Sequence, residues 1–468
     1  MAPRLLPHAL RLLLMALPFS GQAQLNGTYV IDGGGGGDYL TFTAAVTDLT
    51  TLGIAGPVVF DVADGTYTEQ ISIPAITGSS AANTITFRGQ SLDSSLVSLE
   101  FGSLAVTGPP NEVVGLYGVA YIRFEHMTLQ RPGSLAFGGV IRIGSTSRDW
   151  HFNNCRLWAS NSSGNSDVLR HIGSSSDIGN SSVTHCDIQH GGATFNSVSA
   201  GSFTLANNDI DAQGTFALDL NNFDAEVQCL DNNIVSPSYF ANSINLNGCD
   251  PTTAVIARNS ITCNAPSSEG IRLANTTGTA LNPIMVANNM IICNGSTNTS
   301  IGIWLVGSTQ HVDIIHNSIS INSTSGVQYG LNLQSSAIDI RLHNNAVRSR
   351  VYCLSASSSS FVSSDENCFH SLTTAPVIID GTPYSDVPTL FAGTGMNGNS
   401  LMSDPGFVDP ATDLHLSATS PCPGAAGNWP GITDDSDSEA RPQPVATDPD
   451  IGADETSSAC APLSGTYV

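Results

Sequence analysis

No lysine occurs anywhere in the 468 residues: all 15 basic side chains are arginine, against 39 acids, for a formal net charge of −24. The absence of lysine removes Schiff-base chemistry and lysine general bases. The excess of acid repels phosphate backbones and anionic membranes, so neither nucleic acid nor lipid is an expected partner. Charged residues of either sign make up only 12%, leaving a surface polar mainly through Ser, Thr, Asn and Gly. No CxxC or other zinc spacing occurs among the ten cysteines, and after the N-terminus no apolar run is long enough to span a bilayer. An even cysteine count in an exported chain is compatible with disulfides.

What is present begins with an export signal. Arg4 and Arg11 supply positive charge, Leu12 to Leu17 a short apolar stretch, and Gly21-Gln22-Ala23 the small residues a signal peptidase inspects. Pro18 and the polar residues after it end the run too early for a membrane anchor. Cleavage is expected after Ala23. It removes two arginines and no acid, taking the charge from −24 to −26.

The body repeats one phrase: apolar, any, polar, usually Asn, any, apolar. It occurs around positions 127, 155, 186, 208, 233, 259, 289, 317 and 345. Asn fills six of these nine fourth positions; Met127, Cys155 and Cys186 fill the others. A second phrase alternates apolar and polar residues 12 to 16 positions earlier, as in Val140-Ile-Arg-Ile143, Gly270-Ile-Arg-Leu273 and Gly302-Ile-Trp-Leu305. Short period-two segments between Gly/Ser/Asn turns, repeating every 22 to 31 residues, describe a β solenoid. A leucine-rich repeat needs a Leu-dense consensus and a helical return leg, and neither is found. Stacked coils place equivalent residues above one another about 4.8 Å apart. Asn suits such a turn because it tolerates a left-handed backbone and its amide can bond the amide in the next coil.

Upstream, Leu40, Phe42, Ala45, Val46, Leu49 and Leu52 fall at helical spacing, with Asp38 or Thr41 as N-cap. This helix is expected to cap the open end of the stack. The expected division is a signal peptide at 1–23, a Gly-rich joint at 24–37, the right-handed parallel β-helix with its cap at 38–425, an acidic closing segment at 426–461, and the start of a second repeat unit at 462–468. The last rests on an echo: Leu463-Ser-Gly-Thr-Tyr-Val468 repeats Leu25-Asn-Gly-Thr-Tyr-Val30, suggesting one module of a longer tandem array.

The entry Asp38-Tyr-Leu-Thr-Phe-Thr-Ala-Ala-Val46, then Gly56-Pro-Val-Val-Phe-Asp-Val62 and Asp64-Gly-Thr-Tyr-Thr-Glu-Gln-Ile71, resembles the start of pectin-lyase-like right-handed β-helices. It is similar to the first motif of pectin methylesterases. The Asn phrases resemble the generic β-helix repeats of bacterial surface proteins, frequent in Bacteroidetes. Ser403 to Pro410, Asp413 to Leu416, Ser420 to Gly424 and Asp450 to Glu455 look like their closing segment. The resemblance implies fold more than activity. The Gln-Asp-Thr, Asp-Phe-Ile-Phe-Gly and Arg-Trp motifs of the esterases are missing. So are the polygalacturonase motifs in their sequence context, and the lysine of pectate lyases. Gly65-Thr-Tyr-Thr-Glu69 is therefore read as a structural cap motif.

Other groups have bland readings. His126, His185 and His316 share a column but are interrupted by Asn154 and Arg258, so exposed turn histidines are expected rather than metal ligands. Trp150, Trp158, Tyr117, Tyr121 and Trp304 could stack sugars, but such residues more often fill a core or pad loops. Asp187, Asp209, Asp211, Asp219, Asp224, Glu226 and Asp231 are numerous enough for a carboxylate pair of the glycosidase kind, though acids fill every turn of an acidic chain. Asp434-Asp435-Ser-Asp437-Ser-Glu439 has the alternating oxygens of a calcium loop without its fixed glycine; a solvated loop is preferred. The Cys155/Cys186 and Cys263/Cys293 pairs fit either disulfides or stacked buried thiols. The expectation is a secreted or cell-surface module, non-catalytic, for glycan binding, adhesion or surface structure, with polysaccharide or a surface glycoprotein as partner. A polysaccharide lyase or glycoside hydrolase on the same scaffold is the alternative. No catalytic residue, resident cofactor or metal ligand is assigned.

Overall fold

The computed structural model describes residues 23–456, apart from 103–110, 134–138, 160–167, 175, 214–215, 238–239, 296–298, 374 and 446. The signal peptide and the echo at 462–468 lie outside the described residues. The rest is a parallel β-helix of about 10 turns. One coil shows the plan: Ile141–Gly144, Arg148–Asn153 and Arg156–Trp158 follow one another around the axis. Period two sends Ile141, Ile143, Trp150, Phe152 and Leu157 inward, all fully buried. Equivalent strands pair in parallel with the coils before and after. Three ladders result. The first two merge into a 25-stranded sheet because long strands such as Ala193–Ala206 serve both, and the third is a separate 12-stranded sheet.

The core is a set of vertical columns. In the second ladder Phe60, Phe87, Phe124 and Phe152 stand in register, with ring centroids 4.9, 5.3 and 5.4 Å apart. Beyond them the column becomes Val183, Leu205, Cys229, Ile256, Val286, Ile314 and Leu342. Each fully buried Leu, Ile or Phe contributes roughly 1.5–3 kcal/mol.

Between the second and third ladders the chain turns sharply, and two adjacent residues divide the work. His126, Asn154, His185, Asn207, Asp231, Arg258, Asn288, His316, Asn344 and Glu366 are left-handed, with φ between 50° and 58°. The residue after each faces inward. From the fourth of these coils onward it is Asn208, Asn232, Asn259, Asn289, Asn317, Asn345 and Asn367, all buried. Each amide nitrogen from Asn208 to Asn345 donates to the next amide oxygen at 2.9–3.0 Å. Each also donates to a main-chain carbonyl of the preceding coil, as Asn289 does to Ile256 at 2.8 Å. Two features differ from the sequence expectation. One asparagine does not supply both the left-handed turn and the amide ladder. And the ladder member is Asn232, with Asn233 outside and bonded to Asp209 at 2.9 Å. The frame slipped because Cys229, not Leu230, fills the buried apolar position.

Helix α1 (Phe42–Leu52) flanks the first coils and buries Phe42, Ala45, Val46 and Leu49. Thr41 is its N-cap. Glu69 adds a carboxylate to the same helix end, accepting the N–H groups of Phe42 and Thr43 at 3.0 and 2.9 Å. Tyr67 of the same motif donates to Ala63 at 2.9 Å. The Gly-x-Tyr-x-Glu motif thus anchors the cap. Residues 24–37 are not a loose joint: Leu25–Ile31 is already a strand paired with Ile54–Val62. The glycines that follow wrap the Asp32 carboxylate, which accepts from Gly34 and Gly36 at 2.7 and 2.9 Å.

The parallel coils end earlier than position 425, at Val377–Ile379, which pairs antiparallel with Thr382–Tyr384. Helix α2 (Val387–Thr394) inserts Leu390 into the main core. The chain then runs back along the outside of the third ladder, where Phe407, Leu414, Leu416, Cys422 and Ile451 pack on the outward-facing Ile292, Ala346 and Cys368. Under this flap His316 is wholly buried, contacting Asp450 and Asn344. Burial pushes its pKa well below the usual imidazole range. The expected exposed histidine is a packing residue.

Candidate functional site

One outward column of the first ladder is polar along almost its whole length. Ser72, Gly115, Arg142, Arg170, Thr194, Asp219, Asn245, Arg272, Trp304, Asn332 and Ser355 are in register, one per coil. The cause is local. Each strand alternates, so residues between core positions such as Ile271 and Leu273, or Ile303 and Leu305, must point away.

In the middle these side chains form one network. Asn247 donates to Asn221 at 3.2 Å, and Asn221 to Asp219 at 3.0 Å. Asn245 donates to the other Asp219 oxygen at 2.7 Å, and Arg272 donates to Asn245 at 2.8 Å. The Arg272 guanidinium lies 5.5 Å from the Trp304 ring centroid, within cation–π range. Glu269 lies beside Arg272, at 3.8 Å. Burial is the main influence on both carboxyls of this face. It pushes Glu269 up to about 7 against the opposing pull of Arg272, and it raises Asp219 despite hydrogen bonds from Asn245 and Asn221. One oxygen of Glu269 and the Trp304 indole nitrogen have no hydrogen-bond partner among the described residues.

The sequence reading named Asp219 and Trp304 but missed Glu269 and Arg272. The phrase Gly270-Ile-Arg-Leu273 contained the signal: an arginine at an outward position, with an acid just before the strand's glycine.

The other candidates disperse. Trp150 is fully buried in the core. Trp158 sits on the third ladder under Arg156, 3.9 Å away. Tyr117 bonds Glu112, several coils from Trp304, so no single aromatic platform exists among these residues. The acids also separate. Asp187, Asp209 and Asp211 belong to the third ladder and Glu226 to the second. Asp231 is clamped by Arg258 at 2.7 and 2.9 Å. His126, Asn154 and His185 line an open cleft of about 450 Å³ with Asp93, Arg156 and Asp187, but the histidines are not gathered as ligands. A smaller cavity of about 220 Å³ is lined by His311, Asp339 and Arg341. It lies on the second ladder, where Arg341 is held by Asp313 at 2.6 and 2.8 Å.

Within the calcium-loop pattern Asp435 has a main-chain role. It accepts the N–H groups of Asp437, Glu439 and Glu455 and so ties main chain at three points. The nine described cysteines are all buried and unbridged, which resolves Cys155/Cys186 and Cys263/Cys293 as stacked thiols. Burial pushes the Cys229 thiol up to about 12, making it an unreactive core group. No described helix is long and apolar enough to cross a membrane.

The sequence matches no protein-family model and no curated protein. Among solved structures, a pectate lyase is similar at 14% identity and TM-score 0.40, over 93% of this chain and 98% of that one. A rice weevil pectin methyl esterase is similar at 12% identity and TM-score 0.33, covering 56% and 90%. A carrot pectin methylesterase is similar at 13% and 0.31, covering 65% and 84%. The β-helix assignment itself rests on the ladders described above.

Proposed function

We propose that this chain is a secreted or cell-surface β-helix module that binds polysaccharide along the outer face of its first ladder. The observation that carries this is the in-register polar column centred on Asp219, Asn245, Arg272 and Trp304. Hydrogen-bonding groups repeat there at the rung spacing of about 4.8 Å, close to the length of one pyranose unit. The network is preorganised, so little side-chain entropy is lost on binding. An indole held by an arginine offers a sugar ring a flat apolar face. A glycan array followed by calorimetry on the best oligosaccharide tests this. The combined Arg272→Ala and Trp304→Ala variant should lose at least about tenfold in affinity, since two contacts of this kind exceed about 1.4 kcal/mol. Unchanged affinity in that variant sinks the proposal.

A second reading is favoured by one observation: Glu269 is pushed up to about 7 and shares this face with Asp219. A carboxylic acid that keeps its proton near neutrality is what glycoside hydrolysis needs as general acid. Asp219 lies two rungs away and three residues along the strand, because Glu269 is in register with Asn242 and not with Asn245. The two main-chain positions are about 14 Å apart by these spacings, so the side chains must reach toward each other to meet the roughly 6.5–9.5 Å of inverting hydrolases. Reducing-sugar release abolished by Glu269→Gln would favour this reading; tight binding without product favours the first.

A further inference from the structure

We infer that His415, Asp437 and Asp454 form a site for a divalent transition ion of the zinc class, which fastens three separate stretches of the closing segment to one another. Their potential ligand atoms lie within 4.8 Å of one another. Ligands bonded at about 2.0–2.2 Å to one ion stand about 3–4 Å apart, so the wider spacing must close slightly while the His415–Asp437 pair, now hydrogen-bonded at 2.7 Å, must open slightly. The three residues come from the strand Asp413–Leu416, the turn around Asp435 and the final stretch before 456, so their convergence is a product of the fold.

Each member has a fixed role. Asp413 holds the Nδ1 side of the His415 ring at 2.5 Å, leaving Nε2 turned toward Asp437 at 2.7 Å. A carboxylate behind the imidazole that fixes the tautomer is the usual support of a metal-bound histidine. Asp454 is nearly buried, and one of its oxygens accepts the Leu416 N–H at 2.7 Å. The turn bearing Asp437 is set by Asp435, through the main-chain bonds described above. His415 and Asp437 stay accessible, with side-chain exposures of 42% and 51%, which leaves an entry path and room for water ligands. An imidazole nitrogen with two carboxylates suits zinc or manganese better than calcium, which prefers oxygen alone.

The test is a calorimetric titration of tag-free, chelator-stripped full chain with zinc chloride and, separately, with calcium chloride. Saturable binding of about one zinc ion per chain is expected. His415→Gln and Asp437→Asn leave the buried Asp454 in place and should each weaken binding by about tenfold or more. The inference is overturned if binding does not saturate near one equivalent, or if both variants take up zinc as the parent does. It is also overturned if calcium binds as tightly as zinc.

Discussion

The two halves of the solenoid solve the same corner with different atoms. From Asn208 onward the inward corner residue is an amide that bonds both its neighbours, while the column beside it is Leu, Ile, Val or Cys. In the earlier coils the corner holds Met127, Cys155 and Cys186, and the column beside it is the phenylalanine stack from Phe60 to Phe152, giving way to Val183 in the coil of Cys186. The thiols imitate half of the amide's job. Cys155 donates to Phe124 and Cys186 to Phe152, as Asn208 donates to Val183. A thiol offers little as an acceptor, so the Cys155–Cys186 contact passes only a weak link along the column, and the aromatic stack supplies the cohesion there. The join is visible: the oxygen of Asn208, the first amide, accepts the main-chain N–H of Cys186 at 2.9 Å.

This contrast orders the expected effects of substitution. The largest belongs to the amide half. Asn289→Ala leaves Ile256 O and the Asn259 main-chain N–H without the partners they now have, and it removes one of several bonds from the Asn317 amide oxygen and the Asn259 amide nitrogen. At about 1–3 kcal/mol for each buried orphan, a loss of about 4 kcal/mol is expected in denaturant unfolding. A loss below about 1 kcal/mol would show that the ladder merely follows the fold. Phe124→Ala tests the aromatic half and should cost about 3–4 kcal/mol. Cys155→Ala should cost only about 1 kcal/mol, the value of a small buried group with one weak bond. Cys186→Asn should reverse the sign and stabilise by about 0.5–1.5 kcal/mol, because the new amide can donate to the Asn208 oxygen and extend the ladder.

Acidity sharpens the comparison within the amide half. Glu269 is pushed from its ordinary 4.5 up to about 7 by burial, so between those values the folded chain binds the extra proton. Its contribution therefore favours folding at acid pH and declines as pH rises from about 4.5 to 7. Glu269→Gln should raise the melting temperature at pH 8 and leave it unchanged at pH 4. His415 also has a raised value, about 9, so its stabilisation of the closing segment is full below about 6.5 and fades as pH rises through 9. Proteolysis of that segment should thus quicken above pH 9 in chelator-stripped protein.

Much of this architecture was legible because solenoid contacts are repeats of local ones. A period-two phrase names its strand, and its recurrence names its neighbour, so the ladders and the α1 cap with Thr41 could be read directly. The errors fall where a residue answers to something outside its own coil. Asn233 was misplaced because a buried cysteine stood in for an apolar residue. His316 looked like its exposed column mates because nothing local announces the flap that buries it. The candidate face was half legible: Asp219 and Trp304 carry visible chemistry, while Glu269 owes its state to burial that only the stacked coils create.

The most direct test of the functional account is oligosaccharide binding compared between two variants of one column. Arg272→Ala sits at the centre of the polar network, and Ser355→Ala near its far end. The account predicts that Arg272→Ala weakens binding by about tenfold or more, one contact of about 1.4 kcal/mol, while Ser355→Ala binds as the parent does. Equal affinity in all three proteins would contradict it.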